Sequence, residues 1–272
     1  MVTAFWPWLL PRLRLGAALA LACAGLLFLP WLDLVPAVRP VDRLTGFVMA
    51  SGGLLALAGL LRRQARERPS WALWAPWVLA VSLMQGSLYW SLMARFFMFM
   101  MPPLVFGLAE ALETAMEAKA LRRIYGLSLV LTLVLSASLA LVDYRYAAAQ
   151  KTMARQVGAA YGRDRRVWCL AHWGLQHYLN EAGARDLDWS RGGWDQVKPG
   201  DAAVSARVNF QVMRPLRPRL SNVRKLAVDC LIPLRLISAW TGEGGFYSNA
   251  TGFLPYSFST ELLEEFTVVE ML

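Results

Sequence analysis

The sequence predicts a polytopic α-helical membrane domain of about five spans over residues 1–143, followed by a small α/β domain over residues 144–272. Three observations predict it. Of the 272 residues, 57% are hydrophobic, a share that soluble domains rarely reach. Long apolar runs fill the first half, whereas the second half alternates short segments of strand and helix period. Basic residues gather at particular run ends: Arg12 and Arg14 before the first, Arg62, Arg63, Arg66 and Arg68 after the second, and Lys119, Arg122 and Arg123 after the fourth. Such residues resist translocation, so these loops are expected in the cytoplasm. An odd number of spans then puts the N-terminus inside and everything after Asp143 outside, as in an integral protein of a bacterial inner membrane.

The first span is expected over about Leu15 to Val35. Its apolar run continues past Cys23, longer than a cleavable signal core, so it reads as a retained span with Trp6, Trp8 and Trp31 at the interfaces. The second covers about Leu44 to Leu61 and is rich in Gly and Ala, which let helices approach closely in lipid. The third covers about Trp71 to Met93. The fourth covers about Phe96 to Leu112 and contains Pro102 and Pro103, so it should kink there or begin helically only there. Glu110, Glu113 and Glu117 share one side near its inner end and read as a solvated helix end facing Lys119, Arg122 and Arg123. The fifth, about Ile124 to Val142, holds no charge and reads as a plain anchor.

A helix leaving the bilayer is expected over Tyr144 to Tyr161. Arg166 to Ala171 reads as a strand, and Gly174 to Ala182 as a helix stopped by Gly183. Lys198-Pro199-Gly200-Asp201 has Pro and Gly where a type II turn needs them. Strands are expected over Ala202 to Val208 and Glu265 to Met271, and Lys225 to Ile237 is an apolar run interrupted by Pro233.

The net charge of +9 sits largely at membrane edges and comes without a recognition motif, so the lipid bilayer, including anionic head groups, is the expected partner and nucleic acid is not. His172 and His177 are the only histidines. With Cys169 they do not match a zinc spacing, so no metal and no cofactor is expected. No nucleophile elbow is present, and Gly242-Glu243-Gly244-Gly245 reads as a turn. Cys169 and Cys230 both fall in the outer domain, and the sequence leaves a bond between them open.

Two features suit a lipid-linked sugar. Arg95, beside Phe96, Phe97 and the two prolines, suits a lipid-linked phosphate, and equally a guanidinium snorkelling to the interface. From Gly245 to Phe258, Phe246, Tyr247, Phe253, Tyr256 and Phe258 stand in a Gly/Ser/Asn/Pro context. Such rings stack on sugars, lie at a membrane interface, or fold back on their own domain. Asn249-Ala250-Thr251 fits the N-glycosylation pattern.

The stretch Ala94-Arg95-Phe96-Phe97-Met98-Phe99-Met100-Met101-Pro102-Pro103 resembles the Arg-Tyr-apolar-Pro segment of glycosyltransferase family 39, the group of protein O-mannosyltransferases and lipid A aminoarabinose transferases. His172 to Leu179, Lys198 to Asp201, Gly245 to Ser248 and Leu254 to Phe258 look like the outer domain of bacterial members, in the same order. The resemblance covers roughly residues 70 to 272. It implies transfer of a sugar from a polyprenyl-phosphate donor to an extracytoplasmic acceptor, with Arg95 facing the donor phosphate and Phe246, Tyr247, Phe253 and Tyr256 facing lipid or sugar. Phe96 stands where members often have Tyr. The family's acid residues lie in a long first outward loop. Here that connection is only about Pro36 to Arg43, with Asp42 inside it and Asp33 at the span end. Neither is assigned a catalytic role, and no catalytic residue is named. The chain resembles the C-terminal half of such an enzyme: a truncated or split gene product, or a subunit without the catalytic half that works with a membrane protein partner supplying the missing spans and the acid. The alternative is a non-enzymatic membrane scaffold with an extracytoplasmic interaction domain. A transporter subunit would need charges inside the spans, and spans one, two, three and five lack them.

Overall fold

The computed structural model describes residues 40–49 and 76–84 in part, and residues 94–113, 116–161, 165–208, 220–241, 244–247, 252 and 254–271. Two compact units are distinguished, one within Met1–Ser138 and Thr241–Phe258, the other within Leu139–Trp240 and Ser259–Leu272.

The five-span helical domain expected from hydropathy is not the architecture found. Among the described residues one helix is long and apolar enough to cross a membrane, and the chain then builds a five-stranded mixed sheet. The first span lies outside the described residues, as do most of the second and third. The fourth is not one membrane-length helix: a 3-10 segment, Ala94–Met100, leads into a helix over Met101–Glu113, α1. The prolines explain the break. Pro102 and Pro103 offer no N–H to the preceding turn but fit the first turn of an α-helix, so α1 starts there.

The next helix, Ala118–Tyr161, is α2. In the first unit Leu108 and Leu112 of α1 pack against Ile124, near the start of α2. At about 1.5 Å per residue its 44 residues extend about 66 Å, twice the thickness of a bilayer core. The fifth span and the exit helix are therefore one uninterrupted element. Leu127, Leu129, Val130, Leu131, Leu133 and Val134 are exposed along its first part, a surface that suits lipid and not water.

In the second unit the later part of α2 becomes amphipathic. Ala149, Met153, Ala154, Val157 and Tyr161 are buried on the sheet, at the spacing of one helix face. The strands of that sheet are Val167–Cys169 (β1), Arg185–Asp186 (β2), Ala202–Ala206 (β3), Leu220–Val228 (β4) and Glu264–Met271 (β7). Two-residue strands over Leu234–Arg235 (β5) and Ser257–Phe258 (β6) lie between β4 and β7 in sequence. The sheet order is β2-β1-β3-β7-β4. β1 pairs in parallel with β2 and β3, while β7 runs antiparallel between β3 and β4. A helix over Trp173–Glu181, α3, links β1 to β2. The pleat sorts the core: Val167, Cys169, Val204 and Val268 face α2 and α3, whereas Trp168, Leu170, Ala203 and Val269 meet Leu187 and Trp194 on the other face.

Gly183 has φ 94°, where a β-carbon is costly, and ends α3 as its position in the sequence predicts. Gly200 has φ 84° in the turn before β3. That turn is stapled by Asp201, whose carboxylate accepts from Trp168 Nε1 at 2.9 Å and from the Lys198 N–H at 2.9 Å. The apolar stretch from Lys225 is interrupted between β4 and β5. β4 ends at Val228, and the chain turns through Asp229 to Pro233.

Candidate lipid-facing site

Arg95 stands near the start of the 3-10 segment with an exposed side chain. Met98, Phe99 and Met101 follow it, each more than 45% exposed. A guanidinium among exposed hydrocarbon side chains suits the zone where lipid phosphates meet acyl chains. A groove of about 470 Å³ lies in the same unit between α1 and α2, floored by Val105, Leu108 and Leu112 and walled by Tyr125, Ser128 and Thr132. The Tyr125 hydroxyl donates to the Ala109 carbonyl at 3.4 Å, tying its two walls together.

The aromatic loop is pinned near both ends. Gly245 N–H donates to the Leu254 carbonyl at 2.7 Å, and the Thr241 and Ser257 hydroxyls meet at 3.3 Å in a buried position. Phe246 and Tyr247 are half-buried and meet edge to face at 5.1 Å; Tyr256, also half-buried, meets Phe258 the same way at 5.8 Å. Edge-to-face pairs of this kind rigidify a loop. Phe253 and the Asn249-Ala250-Thr251 triplet lie outside the described residues.

His172 precedes α3 without capping it through its side chain. His177 is exposed beside Glu181, Nε2 to Oε1 3.4 Å. Among the described residues no cluster of His, Cys, Asp or Glu suits a metal ion. Cys169 and Cys230 are separate free thiols, both buried. Burial pushes the Cys169 thiol up to about 11, so it stays protonated at neutral pH.

Sequence patterns gave no sign of two buried polar centres in the second unit. Arg235 is fully buried, and its guanidinium is held by carbonyls: Nη1 donates to Ile232 and Leu234 at 2.8 Å each, and Nη2 to Glu261. Glu264, at the start of β7, is also fully buried. Its Oε1 accepts from the backbone N–H groups of Arg207 and Val208 at 3.0 Å and of Glu265 at 2.9 Å. Burial nevertheless outweighs these bonds and pushes its carboxyl up to about 7. Tyr146 and Gln150 of α2 complete the cluster. Burial, and then the Glu264 charge, raise the Tyr146 hydroxyl above its ordinary value. The Tyr146 hydroxyl and Glu264 Oε2 stand outside hydrogen-bond geometry. The only trace in the sequence is polar residues at helix-face and strand positions that otherwise read as apolar.

No family model, no curated protein and no solved structure matches the chain.

Proposed function

We propose that this protein is membrane-anchored and binds a polyprenyl-phosphate-linked sugar at the extracytoplasmic bilayer surface, as the C-terminal part of a family 39-like glycosyltransferase system. A membrane protein partner supplies the catalytic acid. The observation that carries this reading is the exposed Arg95 on a segment of exposed Met and Phe side chains, ahead of an apolar groove. Charge-assisted bonds hold a phosphate there while hydrocarbon lies against the neighbouring side chains. The rings of Phe246, Tyr247 and Tyr256 supply surfaces on which a sugar stacks. The test is retention of undecaprenyl phosphate by purified protein in detergent. Arg95→Ala should weaken it about tenfold, the equivalent of about 1.4 kcal/mol. Equal retention by both proteins overturns the assignment.

A second reading is a non-enzymatic membrane scaffold. It is favoured by Glu264, a carboxyl held above its usual range, which is wholly enclosed and so out of reach of a substrate. Retention unaffected by Arg95→Ala would favour this reading.

A further inference from the structure

The loop Asp229–Pro233 presents Leu231 with 92% of its surface exposed, beside the point where α2 acquires its first charges after the apolar stretch. We propose that this loop is a second membrane contact, with Leu231 seated in the leaflet from which α2 emerges. The inference rests on the membrane anchoring proposed above.

Three independent observations carry it. First, α2 has no charged residue between Arg123 and Asp143. At about 1.5 Å per residue that stretch matches the roughly 30 Å bilayer core, so the interface falls at Asp143 to Arg145. Second, the loop is fixed at that level: Arg145 Nη1 approaches Cys230 Sγ at 3.8 Å. The same sheet edge extends the other way, since Arg224, midway along β4, lines a groove with Met153, Val157 and Tyr161 further along α2. β4 therefore runs back toward the bilayer and delivers its loop there. Third, the loop is built rigid. The buried guanidinium of Arg235 holds the carbonyls of Ile232, Leu234 and Glu261, so Leu231 is presented without an ordering cost at the moment of contact. An isolated exposed Leu is ordinary; one held on an arginine-pinned loop at interface height fits a lipid surface.

The test uses the full chain in vesicles of phosphatidylethanolamine and phosphatidylglycerol. A photoreactive benzoylphenylalanine replaces Leu231, Leu133 or Val223 in turn, and lipid adducts are measured by mass spectrometry after illumination. Leu133 reports the anchor. Val223, exposed near the distal end of β4, reports water. Adducts at 133 and 231 with loss of signal at 223 are the expected result. Adducts at 133 alone overturn the loop contact and leave the anchor standing. Equal adducts at 223 and 231 also overturn it. Absence of adducts at 133 overturns the membrane anchor itself, and the loop contact with it. All three positions are exposed, so native thermal unfolding in detergent should persist and confirms folded protein.

Discussion

Glu264 links a single carboxyl to the stability of the whole domain. Its ordinary value is 4.5 and its value in the fold is about 7. The folded state therefore holds a proton that the unfolded state releases between those limits. Stability from this group is complete below about pH 4.5, falls as pH rises to about 7, and is constant above. The loss is about 3 kcal/mol, at about 1.4 kcal/mol for each pH unit separating the two values. Glu264→Gln keeps an oxygen for the three backbone donors and cannot ionise. Melting curves from pH 4.5 to 8 should thus fall for the native protein and run flatter for the variant. Parallel curves would show that Glu264 does not hold this proton.

At the scale of elements, the junction of β1 and α3 packs closely against α2. Trp173 takes φ 58°, unusual for a residue with a β-carbon. A β-carbon on Gly174 would lie 2.3 Å from Gln150 Oε1. Gln150 is itself buried beside Tyr146 and Glu264, so it has little room to yield. Gly174→Ala should cost about 1–3 kcal/mol by overpacking. Combining it with Gln150→Ala should recover part of that cost, and additive losses in chemical denaturation would refute the contact. The sequence made some of this legible and hid the rest. The helix after β1, its Gly183 stop, the Lys198–Asp201 turn and the closing strand follow from local periodicity and turn chemistry, so reading them needed no tertiary knowledge. The break in the fourth apolar run was legible, because Pro102 and Pro103 decide continuity and the α-helix begins at them; the five-span count misled because a hydropathy window counts composition. Within the stretch from Lys225 to Ile237 the burial of Arg235 was not legible, because an arginine is ordinarily a surface residue and only the folded chain brings three carbonyls to it. Arg95 was legible as a cation in apolar company. The Tyr146–Gln150–Glu264 cluster was not, because Glu264 stands over a hundred positions from the other two and only the packing of α2 on the sheet unites them.

For the whole molecule the deciding question is which side of the bilayer the sheet occupies. α2 supplies the argument. Its N-terminal end carries Lys119, Arg122 and Arg123 next to the short connection after α1, and short basic connections stay in the cytoplasm. The residues after Asp143 form a long folded region, whose Arg145, Lys151 and Arg155 count for little because long domains translocate largely regardless of charge. The sheet is therefore expected on the extracytoplasmic side, the side on which the proposed transfer takes place. A phosphatase that is active only outside the cytoplasm, fused after Leu272 in a bacterial host, should be active, and a fluorescent reporter that folds only in the cytoplasm should stay dark. Replacing Lys119, Arg122 and Arg123 together by Glu should shift part of the population to the opposite signal, because the retained charge that orients α2 is gone. A bright cytoplasmic reporter on the unaltered chain would put the sheet on the wrong side for sugar carriers and overturn the transferase reading, while leaving the pH response of Glu264 untouched.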